Sequence, residues 1–277
     1  MGKKITGRTI SLSPHRRLVN ELLVHAKRVP SNPIERDCQI SEIAELREQL
    51  RVAPSWQAIF IKAFGIVNQR FPELRRAWIP FPYARIYEHP HCEVAVLVER
   101  EWQGEKIVLA AKIQQPENMS IDLIHSHLHR FQYEDIWLIS PFRQLLRLAK
   151  MPWALRRFLF WSTLYVSGSK RAKRFGTSMI SSLGRFGVDQ VHPITPLTTY
   201  FSFGKIGSDG SLRCHLVYDH RVLDGGTAAR ILFCLDEILQ KEIRAELLAL
   251  KELELKNVSV LSSKVQSPTT IAMSIRS

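Results

Sequence analysis

Tyr218-Asp219-His220-Arg221-Val222-Leu223-Asp224-Gly225-Gly226 gathers a titratable base, a cation, two carboxylates and a paired glycine within nine residues. It follows a strand-like run, Leu212 to Val217, and precedes a strongly periodic helical pattern. A histidine at the end of a buried strand, with a carboxylate four residues on, is placed as an oriented general base. Its imidazole, with an ordinary pKa of about 6.5, accepts a proton from a thiol or alcohol near neutral pH. An isolated histidine here would read as a satisfied strand-end residue. Asp219, Asp224 and Gly225 beside it, and a serine segment upstream, favour the catalytic reading.

That upstream segment runs Phe175-Gly176-Thr177-Ser178-Met179-Ile180-Ser181-Ser182-Leu183-Gly184-Arg185-Phe186-Gly187. Together the two stretches resemble the catalytic domain of the dihydrolipoyl acyltransferases of 2-oxoacid dehydrogenase complexes. Those enzymes carry D-H-R-x-x-D-G late in the domain and G-T-F-T-I-S-N-L-G-x-F-G before it, and share fold and histidine motif with chloramphenicol acetyltransferase. The likeness is weaker elsewhere but extends over residues 8 to 245. It is carried by Arg16-Arg17-Leu18-Val19, Lys27-Arg28-Val29-Pro30, Ser41-Glu42-Ile43-Ala44-Glu45-Leu46-Arg47 and Pro72-Glu73-Leu74.

The resemblance implies an acyltransferase that moves an acyl group from a thioester to a thiol or hydroxyl acceptor without an acyl-enzyme. His220 would be the general base. Ser181 would donate a hydrogen bond to the oxyanion, a contribution of about 10²–10³ in rate. Asp224 would order the site and pair with Arg16 or Arg17 of the first helix. At a helix start, Asp224 is also favoured by the dipole alone. Asp219 and Arg221 read as structural ion-pair formers, and Gly225 as support. Ser182 stands where the family commonly has asparagine. Gly184 and Gly187 read as turn glycines. The serine segment is not G-x-S-x-G, so no acyl-serine is expected; the glycine spacing is wrong for a Walker phosphate loop. The expected substrate is a coenzyme A or lipoyl thioester, with no tightly bound cofactor. The expected assembly is a homotrimer with sites between subunits, served by acyl-coenzyme A or a lipoylated carrier protein.

Two departures from the family stand out. No lipoyl domain, subunit-binding domain or Ala/Pro-rich linker precedes residue 14, so the acyl group is expected from solution or from another protein. Residues 137 to 175 are unlike the family segment and interleave aromatic and basic side chains. Trp153, Arg156, Arg157 and Trp161 are candidates for contact with a membrane surface, an acyl chain or a partner. The bland alternative is a helical insertion packed on its own assembly. A catalytically silent scaffold or membrane-surface accessory protein of the same fold is the second functional reading.

The chain has 277 residues, 45% of them hydrophobic, enough for one domain with a substantial core. No apolar run reaches the roughly 18 residues of a membrane span. Met1-Gly2-Lys3-Lys4-Ile5-Thr6 lacks the apolar stretch of a secretory signal, though it matches the loose myristoylation pattern. The four cysteines are scattered and suggest neither zinc nor a disulfide framework. A cytoplasmic protein, peripheral to a membrane at most, is expected. The net charge of +13 favours anionic partners (nucleic acid, anionic lipid or a phosphorylated cofactor such as coenzyme A), and bulk charge does not choose among them; nucleic acid, which rests on charge alone, is the least expected. His125 and His129 would share a helical face, but no third metal ligand lies near them.

Periodicity gives helices over 14–29, 40–50 (with Ser41 as N-cap), 55–69 and 120–131, and a final long helix over 226–252. Strands are expected over 83–87, 93–99 and 106–113. Residues 198–206 and 211–217 read as a hairpin closed at Ser208-Asp209-Gly210. The domain plan is a loose start (1–13), one catalytic-like domain (14–252) containing the 137–175 insertion, and a disordered or loosely docked tail (253–277). The fold class is α/β (α+β): a two-layer sandwich, mixed sheet with helices on one side, chloramphenicol acetyltransferase-like.

Overall fold

The computed structural model describes residues 7–265. Helix α1 (Pro14–Ala26) starts where the Ser13 hydroxyl accepts from the Arg16 amide and Pro14 supplies a preset first turn. Strand β1 (Ser31–Gln39) leads to α2 (Ser41–Glu48) and α3 (Trp56–Arg70). The expected Ser41 cap is not formed: Ile40 holds the cap position of α2 without a side-chain bond. Ser55 does cap α3, accepting from the Ala58 amide. Strands β2 (Arg76–Ile79) and β3 (Arg85–Glu88) form a separate antiparallel pair. The expected strand at 83–87 thus starts two residues later and ends one later, and its partner carries no alternation that would mark it.

Strands β4 (Glu93–Trp102) and β5 (Glu105–Gln114) turn at Gly104, and α4 (Ile121–Tyr133) follows. Residues 137–175 fold into α5 (Ser140–Lys150), α6 (Trp153–Tyr165) and α7 (Gly168–Phe175). Then come β6 (Ser178–Ser182), β7 (Thr199–Phe203), β8 (Ser211–Asp219), α8 (Gly225–Ile238) and α9 (Arg244–Val265). A π-turn over Leu239–Ile243 joins the last two helices, so the helical stretch passes Glu252 and takes in the start of the expected tail. Residues 266–277 of that tail lie outside the described residues.

The six-stranded sheet has the order β1-β8-β7-β6-β4-β5. It is mixed: β6 runs parallel to β4 and β7, and the other pairings are antiparallel. Helices α3, α4 and α8 cover one face. Helix α3 is buried nearly all round because it lies between the sheet and other helices. Phe60 stacks on Phe203 and Phe64 on Phe201, with ring centroids 4.2 and 5.3 Å apart. The other face carries a smaller cluster of Ala95, Met179, Leu197, Tyr200 and Val217. A third cluster, Leu18, Ala149, Phe160 and Leu164, joins α1 to α5 and α6.

Candidate active site

Strand β8 divides its side chains by period two. Leu212, Cys214, Leu216 and Tyr218 enter the main core, so Asp219 falls on the opposite face. Asp219 is fully buried, and Arg221 folds back on it. The Arg221 Nε and Nη2 donate to its two carboxylate oxygens at 2.9 and 2.7 Å, and the Arg221 amide donates at 3.0 Å. The Arg221 guanidinium also lies over the Trp78 ring, 5.7 Å from its centroid. Buried Arg171 of α7 donates to the carbonyls of Trp78 and Pro196 at 3.0 and 2.7 Å. Burial pushes its pKa down to about 10, against the charge of Asp219.

This lock fixes the turn beyond β8. The Val222 and Leu223 amides bond the Asp219 carbonyl, and the His220 amide bonds the Pro30 carbonyl at 3.1 Å. His220 is left half exposed at 51%, its Nδ1 3.9 Å from an oxygen of Asp224. Asp224 holds the N-cap backbone position of α8 without using its side chain to cap. Its exposed carboxylate stands on the Nδ1 side of the imidazole. Gly225 packs against the Tyr218 hydroxyl, where an added Cβ would sit 3.4 Å away.

Ser181 of β6 is buried on the same sheet face as Asp219. Its hydroxyl donates to Gln190 Oε1 at 2.8 Å and lies 2.6 Å from the Tyr200 hydroxyl. Burial raises the Tyr200 pKa, so the phenol stays protonated and can donate to Ser181. Ser182 does not duplicate Ser181. It donates to the Phe203 carbonyl and accepts from the Gly184 amide, which ties down the strand end. Gly184 is packed so closely that a Cβ would meet the Gly204 carbonyl oxygen at 2.6 Å, and Gly187 has a φ of +72°.

Register separates the two halves of the candidate site. Ser181 pairs across to Ser202, and Ser202 to His215. Asp219 lies four residues farther along β8, so its Cα and that of Ser181 are roughly 16 Å apart at ordinary strand rise and spacing. Within one protomer, Ser181 and His220 do not share a reacting centre.

Within one protomer the expected pairing of Asp224 with the first helix is not formed. Arg16 faces Glu105 at 3.8 Å and the Arg17 Nε donates to the Leu12 carbonyl. Glu105 opens β5, at the sheet edge opposite β1 and β8, so the start of α1 is too far from Asp224. Arg156 also departs from expectation: it is buried, with Nη1 donating to the carbonyls of Met151 and Ala149 at 3.0 and 3.4 Å. The orphan carbonyls ending α5 need donors, and the sharp turn into α6 aims Arg156 at them. Trp153 is exposed, Trp161 half-buried, and Arg157 Nε donates to Glu21 at 2.8 Å.

His125 accepts from the Ser55 amide, while His127 and His129 lie against Phe131 and Tyr133. Among the described residues no group of three His, Cys, Asp or Glu side chains is arranged to hold a metal. No helix among them is long and apolar enough to cross a membrane. Sequence reading missed Tyr200, Gln190 and Arg171. The alternation of β7 could have placed Tyr200 on the Ser181 face; no local signal marks Gln190, whose loop has no periodicity.

No family model matches the chain, and no curated protein matches it. Solved structures do. A probable dihydrolipoamide acetyltransferase from Listeria monocytogenes 4b F2365 is 18% identical with a TM-score of 0.63, over 85% of this chain and 95% of that one. The dihydrolipoamide acetyltransferase of Azotobacter vinelandii is 18% identical with a TM-score of 0.64, over 87% of this chain and 94% of that one. In that protein a serine, a histidine and an asparagine four residues beyond the histidine have been investigated for their role in catalysis. The cubic core of the pyruvate dehydrogenase multienzyme complex is 18% identical with a TM-score of 0.58, over 87% of this chain and 95% of that one. The chain has the fold of these dihydrolipoamide acetyltransferase and pyruvate dehydrogenase core structures.

Proposed function

We propose that a chain with the fold of the dihydrolipoamide acetyltransferase cores, and with His220 and Asp224 presented together on its surface, is an acyltransferase that uses a thioester donor. The observation that carries this reading is the His220–Asp224 pair: a half-exposed imidazole held by a buried ion-pair lock, with a carboxylate at its Nδ1 side.

The acceptor thiol or hydroxyl gives its proton to His220 Nε2 as its sulfur or oxygen bonds the thioester carbonyl carbon. A thiol of ordinary pKa about 8.5 is mostly protonated at neutral pH, so this base contributes about 10²–10⁴ in rate. The tetrahedral intermediate then collapses. Its carbon–sulfur bond breaks, and the departing thiolate of coenzyme A or dihydrolipoamide takes the proton from the imidazolium. Ser181 supplies the oxyanion donor. If the Tyr200 hydroxyl donates to the Ser181 oxygen, Ser181's own proton is free to turn from Gln190 to the oxyanion.

Because Ser181 and His220 are far apart in one protomer, the reading requires a second copy, His220 and Asp224 from one and Ser181 from the next. A trimer meets that need, and the cubic core among the neighbours is a multimeric assembly.

The test is free-thiol release by purified protein from a panel of acyl-coenzyme A donors with simple thiol acceptors, run beside His220→Ala. Release that falls at least 100-fold in the variant, with folding intact, supports the assignment. Release at the same rate in both removes it.

A further inference from the structure

Helix α6 leans on the C-terminal half of α1 and leaves between them a groove of about 330 Å³. Its α6 wall is aromatic: Trp153, Phe158 and Trp161. Trp153 and Phe158 are 60% and 59% exposed, a large apolar area to leave in water. The wall is also held in place. Phe158 stacks on Trp161, with centroids 6.3 Å apart, and Trp161 packs on Phe81 at 5.4 Å. Arg157 lies over the Trp153 ring at 4.9 Å while its Nε is tied to the buried carboxylate of Glu21.

The polar groups lining the groove are all nitrogen bases: His25, Arg28 and Arg157, with no carboxylate among the lining residues. Arg157 is already paired. The exposed side chain of Arg28 makes no hydrogen bond or ion pair with the described residues and is free to take an anion. Beneath it, buried His25 bonds the Tyr165 hydroxyl through Nδ1 at 3.0 Å, while its Nε2 makes no hydrogen bond and faces the Glu21 carboxylate at 3.8 Å. His25 and Arg28 also line a small second cavity with Arg171 and Arg221. An aromatic wall with one unpaired guanidinium beside it is the make-up of a site for a small amphiphilic acid.

We propose that this groove binds a medium-chain carboxylic acid, its chain lying on Trp153, Phe158 and Trp161 and its carboxylate paired with Arg28. A planar guanidinium meets a carboxylate in a two-bond fork, which neither a neutral nor a cationic head can reproduce. The groove belongs to the 137–175 helices, and ligand binding there does not depend on acyl transfer.

Titration of the full chain with decanoate, decanol and decyltrimethylammonium, each below its micelle concentration, tests this by tryptophan fluorescence and calorimetry. Decanoate is expected to bind at least tenfold more tightly than decanol, and decyltrimethylammonium not to bind. Arg28→Gln should bring decanoate down to the decanol level without lowering the unfolding temperature. Trp161→Ala should weaken both together. His220→Ala should bind decanoate like the wild type, which separates failure of this site from failure of the transferase reading. Equal affinity for the three amphiphiles, or an unchanged decanoate affinity in Arg28→Gln, overturns the proposal. So does binding to phosphatidylglycerol vesicles with none to free decanoate, which would make the surface a membrane contact.

Discussion

Asp219 has no access to water, and its charge is tolerated because Arg221 grips both oxygens and Arg171 stands behind. Removing one partner of a buried pair leaves the other uncompensated, so Asp219→Ala should cost about 3–5 kcal/mol of stability, read by urea denaturation. A second consequence concerns pH. Burial lowers the pKa of His15, His25, His89 and His125 below the ordinary 6.5. As pH falls below that value, the unfolded chain takes up protons that the folded chain refuses. Stability is therefore full above about pH 6.5 and declines on acidification. The urea midpoint should drop between about pH 7.5 and pH 5.5, and His25→Gln should make that drop shallower.

At the scale of the element, the central strands set what Ser181 can do. Ile180 enters the main core, so the pleat turns Ser181 to the opposite face, beside Tyr200 of β7. If the Tyr200 hydroxyl orients the serine proton, Tyr200→Phe should lower kcat by about tenfold with little change in KM, since Ser181 remains but its proton is no longer turned toward the transition-state charge. An equal loss in kcat/KM carried by KM alone would make Tyr200 a packing residue. The turn after β8 behaves differently: Asp219, the Arg221 fork and the Pro30 carbonyl hold its backbone, so His220→Ala should unfold at the wild-type temperature.

For the whole molecule, the separation of Ser181 from His220 makes assembly part of the chemistry. His220→Ala and Ser181→Ala should each be nearly inactive. Mixing them through unfolding and refolding should restore part of the activity, because mixed assemblies contain sites with an intact serine from one copy and an intact histidine from the other. Activity that stays at the level of the single variants after verified subunit exchange would show that the two residues do not work at one centre.

The sequence by itself determined the local physics. Strand-like runs on either side of Ser208-Asp209-Gly210 marked the β7–β8 hairpin, helical periodicity marked α1, α3, α4 and α8, and a nine-residue motif placed His220 and Asp224 at a strand-to-helix turn. These are legible because each depends on neighbours a few residues away. The strands β1, β2 and β6 were not legible from periodicity, since their own residues carry no clear alternation and their pairing energy comes from distant partners. Only tertiary structure decided that Arg16 and Arg17 miss Asp224 within one protomer, that Arg156 turns inward to cap α5, and that Gln190 and Tyr200 surround Ser181. Each of these depends on where two remote segments meet across the sheet or the helix layer, and sheet order and register fix that position.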